Sequence, residues 1–181
     1  MIDLETLSTS TNAMILSIGA VKFDLYGDEI NNPQCDKFYC KINIESCNDL
    51  NLDIDDSTIE WWAKQSKEAQ EEAFSSEGRI DVQDAFNQLY HFCWGCNSVW
   101  SNGSGFDLKI CENIFRKIGR ATPWSYWQER DCRTIYDLGI DPNFPPILKH
   151  HALEDAYRQA VGVQNVVRKL KKFGLDPFTK R

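Results

Sequence analysis

Three apolar runs follow one another across the first 44 residues, separated by short polar turns, and that order admits few folds. The opening MIDLE is apolar at Met1, Ile2 and Leu4 and acidic at Asp3 and Glu5, the pattern of a strand that carries both acids on one face. Residues 13–23, AMILSIGAVKF, are rich in β-branched and large apolar side chains and predict a buried strand. YGDEINN then supplies a turn, and KFYCKINI gives a third strand. Successive strands joined by short turns form an antiparallel meander. With the first strand opening at Met1, its pairing is expected to be weak at that end.

After the meander the period changes. Ser57 and Glu60 stand three apart ahead of Trp61 and Trp62, a capping box that predicts a helix over 57–74. A second helix is expected over 82–92, and SVWSN has the look of a short buried strand. FDLKICENIFRKIG shows helical spacing through Leu108, Ile110, Ile114 and Ile118, and RDCRTIYDL restarts as a strand or a helix. Pro142, Pro145 and Pro146 hold DPNFPPILK in a loop, and residues 152–173 form a long amphipathic helix. A meander followed by alternating strands and helices is an α/β arrangement, expected here as one domain over 1–181.

Composition narrows the function classes. Hydrophobic residues make up 42% and charged residues 26%, a globular balance far from that of disordered chains. A formal net charge of −7 argues against a protein that coats nucleic acid through a broad basic surface. It leaves a nuclease open, because a carboxylate pocket adds negative charge that divalent cations offset. No run approaches the about 18 apolar residues of a membrane span, and the N-terminus lacks a signal-peptide pattern. A soluble cytoplasmic protein is expected, in the host cytoplasm if phage-encoded. The seven cysteines are odd in number and irregularly scattered, which suits reduced thiols. Cys93 and Cys96 have zinc or redox spacing without a second pair downstream, so the plain reading is a helix-end turn at Gly95.

Six acidic or imidazole side chains stand out. Asp3 and Glu5 are one residue apart, so on a strand their carboxylates leave the same face roughly 6.5–7 Å apart and can converge on one cation. Like charges on an apolar strand are costly unless cations or hydrogen bonds compensate. Asp107 follows the SVWSN strand and opens a helix. By itself it would cap that helix, but a strand-to-helix junction is also where α/β sheets place ligands. Asn102, Gly103 and Gly105 beside it permit close backbone approach to a substrate. In KHHALEDA, His151 and Asp155 are four apart and share a helical face, whereas His150 can reach the same place only from the preceding loop. Spacing therefore leans towards His151.

Together these segments resemble the DEDDh branch of the DnaQ-like 3′-5′ exonucleases, of the ribonuclease H-like fold. IDLET from Ile2 is similar to the first motif, GSGFDLKI around Asp107 to the second, and HHALEDA to the third, H-x-A-x-x-D-A, which selects His150 over His151. STIEWWAKQSKEA and NGSGFD resemble the subgroup that holds the dexA exonuclease of T-even phages and a mycobacterial exoribonuclease. The fold so implied is a central mixed five-stranded sheet, an antiparallel meander and then parallel strands, flanked by helices.

The resemblance further implies two Mg²⁺ or Mn²⁺ ions about 3.5–4 Å apart, and release of nucleoside 5′-monophosphates from the 3′ end of single-stranded DNA or RNA. It has Asp3 bridge both ions, Glu5 and Asp155 hold the one that carries the water, and Asp107 support the one at the leaving group. His150, with an ordinary pKa of about 6.5, is the implied general base. Thr6, Leu7, Asn102, Phe106, Trp61 and Lys149 are candidates for substrate contact: Leu7 and Phe106 for stacking or wedging, Lys149 for phosphate. In a helix only one of Trp61 and Trp62 can face the core well. A homodimer is the assembly suggested by the Trp-bearing helix and family habit. The competing classes are a noncatalytic binding module on the same fold and a phosphodiesterase of small substrates.

Overall fold

The computed structural model describes residues 1–27, 36–147, 150–175 and 178. β1 (Ile2–Thr6), β2 (Ile15–Val21) and β3 (Lys37–Ile42) form the expected meander. Every residue of β2, which pairs with β1 and β3, is buried. The YGDEINN turn falls mostly outside the described residues. Pairing of β1 is not weak at its start: the Met1 amine donates to Val21 O at 2.9 Å, and Val21 N donates to Met1 O at 2.9 Å.

The third strand stops at Ile42, two residues early, because Asn43 caps a short helix, α1 (Ile44–Asn48), by accepting from Glu45 N at 3.1 Å. The helix expected over 57–74 is two, α2 (Asp56–Trp62) and α3 (Lys67–Phe74). Ser66 breaks it by accepting from Ala69 N at 3.2 Å and starting α3 afresh. The Ser57–Glu60 capping box is absent. Asp55 holds the cap position of α2, and its carboxylate instead takes Ser8 Oγ at 2.7 Å and Thr9 N at 3.2 Å, which tethers the loop after β1.

β4 (Arg79–Ile80) adds to the sheet parallel to β3, giving the order β1-β2-β3-β4. The Arg79 guanidinium ties this edge together through Ile42 O, Ala73 O, Ser75 O and Leu16 O. α4 (Val82–Cys93) covers β3, then come β5 (Val99–Ser101) and α5 (Asp107–Lys117). RDCRTIYDL resolves into both of its alternatives, β6 (Glu129–Asp131) and α6 (Cys132–Tyr136). Asp131 is the switch, since its carboxylate caps α6 through Arg133 N at 2.9 Å.

The mixed α/β architecture is as expected, but the strands are not one five-stranded sheet. β5 and β6 form a separate parallel pair alongside β1. On the β1 edge that faces them, Leu4 N is taken by the Asp107 carboxylate at 3.2 Å rather than by a strand carbonyl. The arrangement remains compatible with a ribonuclease H-like fold. Two apolar clusters flank the sheet. The larger joins Ile2, Leu4 and Ile18 to Phe86, Leu89, Ile114 and Phe115 of α4 and α5, and the other gathers Ala156, Ala160, Val163 and Val167 of α7 (Ala152–Lys172) with Val21, Trp100 and Ile135. Among the described residues no helix is long and apolar enough to cross a membrane.

Candidate active site

Alternation along β1 sends Ile2 and Leu4 into the larger core and leaves Asp3 and Glu5 on the α7 side. The Cα partner of Asp3 in β2 is Gly19. A Cβ there would fall 2.1 Å from the Ala152 carbonyl carbon and 2.2 Å from Leu153 N, so only glycine lets the first turn of α7 rest on the sheet. That contact brings Asp155 to the acids of β1. One carboxylate oxygen from each of Asp3, Glu5 and Asp155 lies within 4.8 Å of the others.

Asp107 stands just outside this trio, at the first turn of α5, 4% exposed and bound to Leu4 N. Burial is the main cause that raises the Asp3 pKa well above the ordinary carboxylate range, and among the neighbouring charges Asp107 contributes most, ahead of Glu5 and Asp155. Burial, then the charges of Asp155 and Asp107, pushes Glu5 up to about 8. Asp107 is raised to about 7 by burial, against the opposing bond from Leu4 N. Asp155 is raised by burial and held back by the amides of His150 and His151. The four acids share one low-dielectric space in which full ionisation needs added positive charge.

His150 adopts a left-handed backbone, φ 62°, uncommon for a residue with a side chain. The turn aims two successive amides at one oxygen: His150 N and His151 N reach Asp155 Oδ2 at 2.9 and 3.3 Å. The rings then part. That of His150 stands edge-on to Trp61, centroids 4.8 Å apart, while that of His151 stacks on Tyr39 at 4.7 Å, with Nε2 3.7 Å from Glu72. Glu72 is also bound by Tyr39 and by Lys41 at 3.1 Å. Neither imidazole belongs to the carboxylate cluster; both backbones do.

The other candidates scatter. Thr6 Oγ1 donates to Ser8 O at 2.8 Å, Leu7 is buried in the larger core, Phe106 packs partly against it, and Asn102 is half-buried after β5. Trp62 is the core tryptophan, 2% exposed, with Nε1 donating to Thr6 O at 2.9 Å; Trp61 is 42% exposed. Lys149 lies outside the described residues. Cys93 ends α4 and Gly95 turns the chain at φ 80°, the helix-end turn expected there; burial pushes the Cys93 thiol up to about 12. Six described cysteines are free.

Two residues that shape the site escaped the sequence reading. Gly19 had a signal, since a glycine inside an apolar strand marks close backbone approach. So had Gln159, a polar residue four beyond Asp155 on the buried stripe of α7, whose Nε2 donates to Asp3 Oδ1 at 2.7 Å.

The chain is similar to the exodeoxyribonuclease of enterobacteria phage T4, 24% identical over 162 aligned residues that cover 74% of this chain and 68% of the phage protein. The sequence model of the 3′-5′ exoribonuclease Rv2179c-like domain matches residues 1–167. That match takes in β1, the start of α5 and the first turns of α7, where the four acids stand, so the chain belongs to the 3′-5′ exoribonuclease Rv2179c-like domain family and is a nuclease of the hydrolase class.

Proposed function

We propose that this protein is a two-metal-ion 3′-5′ exonuclease that removes nucleoside 5′-monophosphates from the 3′ end of single-stranded DNA or RNA. The observation that carries the reading is the meeting of Asp3, Glu5 and Asp155 from the first strand and the last helix, their oxygens within 4.8 Å of one another. Buried acids whose pKa values are raised by burial and by each other fit cations, and oxygen-only donors suit Mg²⁺ or Mn²⁺. Bound there, two such ions supply an activated water and neutralise charge on the phosphate. Asp3, Glu5 and Asp155, with Asp107 beside them, would hold the ions, Glu5 and Asp155 serving the activated water, Asp107 the leaving group and Asp3 both.

The chain itself contributes position. The amides of His150 and His151 fix one oxygen of Asp155. His150, on the loop beside that carboxylate, takes the proton of the attacking water. Trp61 at its flank offers an exposed ring to a terminal base. The two comparisons point to different sugars, ribose by the family description and deoxyribose by the phage relative.

The test is degradation of 5′-labelled single-stranded RNA and DNA of one sequence, with Mg²⁺, Mn²⁺ or EDTA, and with Asp155→Ala as control. A ladder that shortens from the 3′ end, lost with EDTA and in the variant, is expected, and the faster strand names the sugar. Hydrolysis of a small nucleotide ester with neither oligonucleotide touched would overturn the reading in favour of a small-substrate phosphodiesterase.

A further inference from the structure

The buried stripe of α7 is built from small and apolar residues, Ala152, Ala156, Ala160 and Val163, and Gln159 interrupts it beside Asp3 while only 6% exposed. A polar side chain so placed needs partners. Nε2 has one, Asp3 Oδ1 at 2.7 Å. Oε1, on the same amide carbon, is buried and meets no donor among the described residues. The backbone of Gln159 is also tied, its carbonyl accepting from Tyr136 Oη of α6 at 2.8 Å.

Chemistry fixes which end of the amide faces the acid. A carboxylate that holds a cation is ionised and only accepts, so the NH₂ end must point at Asp3 and the carbonyl is left over. A methionine or leucine would fill the same space without donating. A glutamate would bring another negative charge beside Asp3, Glu5 and Asp155. An amide donates without adding charge and keeps an acceptor in reserve.

We infer that Gln159 is the positioning residue of the cation site: its Nε2 locks one oxygen of Asp3 and leaves the rest of that carboxylate to the cluster with Glu5 and Asp155, while Oε1 accepts from a water carried by a bound cation. The inference rests on the reading of Asp3 as a cation ligand. Residues that orient metal ligands in this way typically change affinity or activity by roughly 10–100-fold when removed.

Isothermal titration of metal-free protein with Mn²⁺ tests it directly, for the wild type, Gln159→Met and Gln159→Asn, alongside kcat and KM on a labelled oligonucleotide at saturating Mn²⁺. Both variants are expected to bind Mn²⁺ about 10–100-fold more weakly, with kcat reduced, KM for the oligonucleotide unchanged and the metal-free melting temperature not lowered. The shorter amide of Asn keeps the polarity but not the reach, and it decides the matter should the Met variant fail to fold. Wild-type Mn²⁺ affinity in a folded variant, or a loss confined to KM, overturns the role of Gln159 alone. A wild type that binds no Mn²⁺ overturns the ligand reading of Asp3, and this inference with it.

Discussion

The two faces of β1 are both largely hidden and physically opposite. Ile2 and Leu4, 1% and 5% exposed, enter the larger core beneath α4 and α5, where each buried side chain stabilises the fold by about 1.5–3 kcal/mol. Asp3 and Glu5 face α7, and there the same burial acts against them, raising both pKa values. One face holds the strand whatever the solution contains. The other is held in register by its neighbours, with its stability left to protons and cations. Core and proposed cation site thus fall on alternate residues of a single five-residue strand.

The largest effects come from exchanging the two roles. Asp155→Ala and Asp3→Asn are expected to cut exonuclease turnover by roughly 10³-fold or more, as befits loss of a proposed metal ligand worth several kcal/mol in the transition state. Asp3→Asn should not lower the metal-free melting temperature, because it relieves the repulsion among buried acids, whereas Asp155→Ala also frees the amides of His150 and His151 and should lower it slightly. Leu4→Ala reverses the pattern, losing about 2–5 kcal/mol by urea unfolding while the folded fraction keeps its turnover. If Asp3→Asn destabilises the metal-free protein as much as Leu4→Ala does, the contrast between the faces is wrong.

Gly19 joins the faces, and Gly19→Ala is next in size. Its new methyl would overlap the Ala152–Leu153 peptide, so α7 must lift from the sheet and carry Asp155 with it. A fall in activity of roughly 100-fold is expected, together with about 1–3 kcal/mol of overpacking cost. Full Mn²⁺-dependent activity in this variant would mean that Asp155 is not placed by that contact.

Gly19 also shows what could and could not be read from the chain. Local signals served well: the D-x-E of β1, the strand–turn–helix around Asp107 and the helix bearing Asp155 each depend on residues close in sequence. What the reading lacked was set at a distance. That Gly19 meets Ala152 and that Gln159 meets Asp3 are facts of packing between the second strand and the last helix, or the last helix and the first strand. The break between α2 and α3 is different, since Ser66 announces its cap locally, yet the Ser57–Glu60 pair offered a competing cap. Nor does any periodicity record that β5 and β6 stand apart from the main sheet, or that the Asp107 carboxylate takes Leu4 N on the β1 edge that faces them. Spacing leaned to His151 because it assumed that rings seek the acid; here the amides do so, and the His151 ring goes to Tyr39.

A third prediction turns on pH. The Glu5 pKa rises from 4.5 to about 8 in the folded chain, so between those values the folded state binds more protons than the unfolded one. The stability tied to those protons is full below the lower value and is lost as pH rises through the upper one. Scanning fluorimetry in EDTA should show a melting temperature that falls between about pH 5 and about pH 8. Mn²⁺ competes for the sites that the protons occupy, and should raise the melting temperature more at the upper end. Leu4→Ala, altered only on the core face, should shift the whole curve without changing its slope. A flat curve in EDTA with equal Mn²⁺ gains at both ends would sink the picture of an uncompensated acidic face.

The same division recurs at smaller scale between Trp61 and Trp62, and removal of Trp61 is the smallest effect expected. Trp62 is built into the core and bonded to Thr6 O, so Trp62→Ala should cost about 3–5 kcal/mol of stability. Trp61 is its neighbour in sequence and half outside, edge-on to the His150 ring. Its removal should leave stability within about 0.5 kcal/mol. Loss of one stacked base at that ring amounts to about 1–3 kcal/mol, read as a higher KM for oligonucleotides. The edge contact with His150 adds a second, separable consequence. If Trp61 only stacks a base, kcat at saturating substrate is unchanged in Trp61→Ala, and Trp61→Phe restores KM. If it also steadies the imidazole, kcat falls as well and the fall persists on substrates too short to reach the ring. The ratio of the two losses therefore reports how much of Trp61 belongs to the substrate and how much to His150.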